Sequence, residues 1–265
     1  QASNLTIAER PSLKSDPANF AIMSIRNIFS SLVLGTVILS ACGGNGTSNE
    51  ETESVYPNKF HNKELLQVYK FKDERLTNEL ISALGSTDQL IRQEAALALG
   101  SVLDNSSLPS LITALRDTIW QVRINAAFSI GQLRDSSATD ALIAAYQKEP
   151  FSHVRLEMIN ALGKFGSQQA IHSIDGFVAT TKEDSLGIMW GYYRSALVRP
   201  LNPISIARII GVFETPHTWI RAIACNALAR SKGVDLTMYK DRIFEQLKND
   251  PEPVMRMALC LALQG

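Results

Sequence analysis

One ten-residue pattern recurs along this chain at nearly constant spacing, and self-similarity of that kind decides the architecture before any local propensity is weighed. An apolar residue and an arginine are followed by small or apolar residues three, four and seven positions after the arginine. The copies are IRQEAALALG (91–100), VRINAAFSIG (122–131), VRLEMINALG (154–163), IRAIACNALA (220–229) and MRMALCLALQ (255–264), with arginines Arg92, Arg123, Arg155, Arg221 and Arg256. A degenerate copy, MWGYYRSALV (189–198), fits with Trp190 in the arginine's place, giving successive spacings of 31, 32, 35, 31 and 35 residues. At 100° per residue the offsets three, four and seven share one helix face, so each copy predicts an amphipathic helix.

A second helical pattern precedes each copy: ERLTNELISAL (74–84), LPSLITAL (108–115), ATDALIAAY (138–146), AIHSIDGFV (170–178), ISIARIIGVF (204–213) and YKDRIFEQL (239–247). Turn and capping residues such as Gly85-Ser86-Thr87-Asp88, Glu149-Pro150, Thr215-Pro216 and Asn249-Asp250-Pro251 separate the paired helices. No stretch alternates convincingly as a strand. The expectation is an all-α chain, an α-solenoid of about six helix-turn-helix repeats over residues 58–265.

These residues resemble HEAT repeats, in particular the short, alanine-rich class shared with phycobilisome lyase-like proteins. Asp117/Arg123, Glu149/Arg155 and Asp250/Arg256 reproduce that family's six-residue acid-to-arginine spacing. The resemblance implies a structural hydrogen-bond ladder between repeats. The first repeat departs from the pattern, with Ser86 six residues before Arg92; the fifth has Thr215 in the acid's place, and the fourth is read as lacking the pair.

The chain's first part reads as an address. Residues 23–42, MSIRNIFSSLVLGTVILSAC, place Arg26 before a largely apolar run from Ile28 to Ala41, the order of a secretory signal and shorter than the roughly 20 residues of a comfortable bilayer span. Leu39-Ser40-Ala41-Cys42 resembles the lipobox of bacterial lipoproteins. That resemblance implies cleavage before Cys42, lipid attachment to its sulfur, and membrane association through the lipid. Gly43 rather than Asp follows, which in such lipoproteins points to the outer membrane of the bacterial cell envelope. Residues 42–57 read as a polar, acidic tether. Residues 1–22 read as upstream sequence, with Met23 the expected start, 23–41 as the signal peptide, and the solenoid as truncated at its C-terminal end.

The 26 basic and 26 acidic residues cancel, and no Lys/Arg run supplies the basic surface that nucleic-acid binding draws on, so no nucleic-acid partner is expected. Cys42, Cys225 and Cys260 and the four histidines form no metal-ligand spacing; no metal or cofactor is expected. No GxSxG, phosphate-cradling loop or HExxH motif is present, so no catalytic residue is assigned. Cys225 and Cys260, at one core offset, read as small buried hydrophobes.

Offsets two, five and nine point away from the core and should line the exposed ridge of the second helices, which in similar solenoids is concave. Asn125, Asn160 and Asn226 there could pair the donor and acceptor of an extended peptide backbone, with Phe128 and Tyr192 supplying apolar contact. The plainer reading, and the preferred one, is a merely solvated face. Trp120, Trp190 and Trp219 read either as interface anchors or as packing between turns. Gly187, Gly191 and a core-facing Arg194 mark the fourth repeat as irregular. The functional expectation is a lipid-anchored scaffold for an unidentified protein or peptide. The alternative is the substrate-holding part of a peptidyl-prolyl isomerase, since NKELLQVYKFKDERLTNELISAL and WGYYRSAL resemble lipoproteins that carry such a domain beyond the point where this sequence ends.

Overall fold

A computed structural model describes residues 62–264, all within one compact unit, Ser54–Gly265. The signal segment, the lipidation candidate Cys42 and the tether lie outside the described residues. The described residues form thirteen α-helices and no strand. They are α1 (Lys63–Asp73), α2 (Thr77–Ala83), α3 (Gln89–Val102), α4 (Leu108–Ala114), α5 (Trp120–Leu133), α6 (Thr139–Tyr146) and α7 (Ser152–Phe165). There follow α8 (Gln168–Gly176), α9 (Lys182–Ala196), α10 (Pro203–Gly211), α11 (Thr218–Arg230), α12 (Lys240–Asn249) and α13 (Pro253–Ala262).

The helix α1 leads into six antiparallel pairs, α2/α3 to α12/α13, and the chain is an α-solenoid. Each second helix lies against the second helices of the neighbouring repeats, whereas adjacent first helices scarcely touch. The second helices thus form a tight layer, termed inner, and the first helices a loose one, termed outer. Small residues permit the tight layer. A Cβ on Gly163 of α7 would stand 2.5 Å from the carbonyl oxygen and 2.8 Å from the Cα of Gly191 in α9, so α7 and α9 meet here only because residue 163 is glycine. The offsets three, four and seven are the core: Ala95, Ala96, Leu99, Ala126, Ala127, Ile130, Met158, Ile159 and Leu162 are fully buried.

The fourth repeat is in a different register from the one its sequence suggests. Every regular second helix begins three residues before its arginine; α9 begins at Lys182, which puts Ser185, not Trp190, in the arginine's place. Helix contacts agree. Gly131 packs on Ala161, the sixth residue after Arg155, and Gly163 packs on Gly191, the sixth after Ser185. The corrected register puts Ile188, Met189 and Tyr192 at the core offsets, where all three are buried. Trp190 and Arg194 move to the inner ridge, so Arg194 is half-buried rather than a core residue.

Candidate functional site

The recurring arginines build a ladder along the edge formed by the intra-repeat turns. Four of the five cross to the acid of the next repeat: Arg92 to Asp117 (2.7 Å), Arg123 to Glu149 (2.7 Å), Arg155 to Asp184 (2.8 Å) and Arg221 to Asp250 (3.3 Å). Nη1 of each arginine donates to the carbonyl six residues before it, in its own turn: Ser86, Asp117, Glu149 and Thr215 at 2.7–2.9 Å. Arg256 does the same to Asp250 and Pro251. The acids in turn accept from the amides of Ile119, Phe151 and Glu252, two residues on, which fixes the turn before each second helix. The six-residue spacing thus reflects an arginine binding the backbone of its own turn while its ion pair crosses to the next repeat.

The fourth repeat keeps the acid and loses the arginine, so the reading that it lacks both is corrected. Asp184 sits in the first turn of α9 and reaches back, forming a capping box with Thr181 and accepting from the Thr180 amide and hydroxyl. Burial raises its pKa, but the bonds from Arg155 and Thr180 outweigh it and hold the carboxyl at about 2. One rung is therefore absent: Ser185 replaces the arginine and Thr215 the next acid. A cleft of about 320 Å³ opens there, lined among others by Ala179, Thr180, Ser185, Thr215 and His217. Across this junction the first-helix layer takes over. Arg208 of α10 donates to the carbonyls of Ile174, Asp175 and Phe177 at the end of α8. Asp175 accepts from Ser205, Asn202 and the Tyr192 hydroxyl.

On the inner face, the asparagine series does not form a continuous exposed ladder. Asn160 is buried, donating to Glu157 (3.1 Å) and accepting from Arg194 Nε (3.2 Å). Tyr192 is fully buried, because the corrected register puts it in the core, and burial pushes its phenol far above the ordinary value. Asn125 donates to the Gln93 carbonyl of the preceding repeat, and Asn226 to the Ala222 carbonyl of its own helix. Both remain half-buried.

What the inner face does gather, over repeats two to four, is a cationic and aromatic cluster. Lys164 Nζ lies 3.5 Å from Glu157 and 4.8 Å from the Phe128 ring centre. The Arg194 guanidinium lies 5.4 Å from the Trp190 ring and 5.9 Å from Tyr193. Burial pushes Glu157 up and Lys164 down, each against the pull of its partner. Phe128, Trp190, Tyr193 and Arg194 are half-buried and so keep part of their surface accessible. Sequence reasoning reached Phe128; Trp190 and Arg194 as members of this face were hidden by the fourth repeat's register.

The other tryptophans divide. Trp120 packs edge-on against His153 of the next repeat, ring centres 4.5 Å apart, whereas Trp219 is 71% exposed. Cys225 is buried, and burial with Asp250 nearby pushes its thiol up to about 12. Cys260, expected in the core, is exposed because no described helix covers that side of α13. Among the described residues no helix is long and apolar enough to cross a membrane.

Residues 108–186 match the family of HEAT repeats. A solved HEAT-like repeats protein from the archaeon Thermococcus onnurineus NA1 superimposes with a TM-score of 0.56 at 16% identity, over 76% of this chain and 91% of that one. An engineered protein does so with a TM-score of 0.52 at 16% identity, over 71% and 95%. The complex of CpcE and CpcF of phycocyanin lyase from Nostoc sp. PCC7120 superimposes at 0.45 and 19% identity, over 84% and 99%, too loosely to bear on function. No curated protein matches the chain. The fold is that of HEAT-like repeat proteins, and at these identities the likeness extends to fold alone.

Proposed function

We propose that this chain is a scaffold that holds a protein or peptide on the inner, second-helix side of its solenoid, carried on the bacterial outer membrane by lipid on Cys42. The observation that carries the binding reading is the inner-face cluster. Half-buried aromatic rings beside cations are the side chains that anchor interfaces, and here Phe128, Trp190 and Tyr193 stand with Lys164 and Arg194 on one face. The ladder residues are engaged with one another and with turn backbone, which assigns them to architecture rather than to a ligand. The envelope address rests on the Leu39-Ser40-Ala41-Cys42 motif and the apolar run before it.

The test uses the full chain as bait for proteins of the envelope, with cross-linking, beside the Trp190→Ala/Arg194→Ala double variant. Specific capture should fall about tenfold or more in the variant while far-UV circular dichroism is unchanged. Equal capture by both would remove the inner-face assignment. For the anchor, Cys42→Ser should abolish metabolic labelling by a fatty acid and release the chain from the membrane fraction; retained labelling would refute it.

A further inference from the structure

The other repeats, where the rung is complete, show what fills the place that the cleft occupies at the fourth repeat. In each of the five other repeats the same place is filled by an arginine whose Nη1 donates to the carbonyl six residues earlier. In four of these five the carbonyl five residues earlier also accepts from Nη1. In the fourth repeat the corresponding carbonyls are those of Ala179 and Thr180, both residues line the cleft, and Ser185 is too short to take them. On the far side Thr215, which also lines the cleft, stands where an acid receives Nε and Nη2 elsewhere, and its hydroxyl can accept one such bond. Asp184, next in sequence to the lining Ser185, is engaged with Arg155 but still charged. In the regular repeats the equivalent carboxylate likewise lies between two arginines, as Asp117 does between Arg92 and Arg123.

We propose that this cleft is a binding site for an arginine side chain presented by a partner protein, which completes in trans the ladder rung that Ser185 and Thr215 leave open in cis. The inference rests on the scaffold reading and gives the partner's chemistry. A planar guanidinium spreads five N–H donors over three nitrogens and so can face acceptors on both sides of a gap, whereas the three donors of lysine sit on one nitrogen. Among the lining residues Lys182 opposes an incoming cation, but it is turned to Glu183 at 3.7 Å. The exposed Trp219, two residues beyond His217, offers an aromatic surface to the segment that carries the arginine.

The experiment titrates the full chain with Nα-acetyl-arginine methylamide and follows the amide resonances of Ala179, Thr180 and Thr215. The neutral citrulline and the lysine analogues serve as controls. Arginine should shift these resonances with an affinity about tenfold or more above that of citrulline, the worth of a charged hydrogen-bonding group. Ser185→Ala, which leaves both carbonyls in place, should keep the shifts. The Ser185→Arg/Thr215→Asp variant closes the rung in cis, and should abolish the shifts while raising the melting temperature. Equal shifts with citrulline, or shifts that persist in the closed variant, would overturn the proposal. An arginine probe that fails while envelope capture succeeds removes only this site; failure of capture removes the scaffold reading whatever the probe does.

Discussion

Asp184 gives the ladder a sharp test, because one residue serves as inter-repeat acid and helix cap together. Replacing it with asparagine keeps the shape and removes the charge. The folded carboxyl titrates at about 2 against an ordinary 3.8, and this difference is worth about 2 kcal/mol at neutral pH. The side chain is 1% exposed, so little of that is screened by solvent. The folded pKa is depressed, so the contribution is complete above the unfolded value and fades as pH falls from about 5 towards 2. At pH 7, Asp184→Asn should therefore lower the melting temperature of the full chain by about 4–8 °C, followed by far-UV circular dichroism. The gap between wild type and variant should close by more than half at pH 2.5. Other ladder acids such as Asp117, also held below the ordinary carboxylate value, protonate alike in both proteins and cancel in the difference. A gap that stays constant from pH 7 to pH 2.5 would show that the carboxylate charge contributes nothing and that Asp184 acts through packing alone.

Further outcomes follow from single positions. Gly163→Ala should destabilise by about 1–3 kcal/mol in urea unfolding despite alanine's better helix propensity, because its Cβ meets the backbone of Gly191; a stabilised variant would contradict the close approach. Leu103 ends α3 with φ 60° and its side chain is 56% exposed, so Leu103→Gly should stabilise by about 0.5–1 kcal/mol, the left-handed strain relieved less the entropy glycine adds to the unfolded chain. A maleimide applied to the native chain should modify Cys260 and leave Cys225 unreacted until denaturant is added, as peptide mapping by mass spectrometry would show.

The repeats were legible because a solenoid writes its fold in period, and in five of the six repeats an arginine announces the helix start. The inner face was less legible, for two physical reasons. Second helices pack so closely that positions facing away from the core on one helix are covered by long side chains of the next, as Arg194 covers Asn160. A helical wheel drawn for one helix in isolation cannot see that neighbour. In the fourth repeat, aligning on the apolar-Arg pattern selected Met189-Trp190, whereas the physical register is set by glycine contact at Gly191 and by the capping box at Thr181. The T-x-x-D spacing from Thr181 to Asp184, a capping-box signature, was the signal that could have placed the helix start.

That capping box also explains why one rung is missing and where the array makes up for it. Moving the acid from the turn into the first turn of α9 preserves the bond to Arg155, so the junction before the fourth repeat is intact. The next position, Ser185, has no guanidinium to offer the fifth repeat. The turn edge of that junction therefore loses its ionic clasp, while Arg208 and Asp175 supply a different one between the first helices. A junction clasped on its outer layer and unclasped at its turn edge leaves a gap on the unclasped side, which is where the cleft lies. A ligand bridging Thr180 and Thr215 would restore the clasp, so occupancy and the stiffness of this one junction should rise together. Amide hydrogen exchange can read that coupling: protection at the start of α11 should increase with the arginine probe and in the closed variant alike, and protection in one without the other would separate the site from the joint.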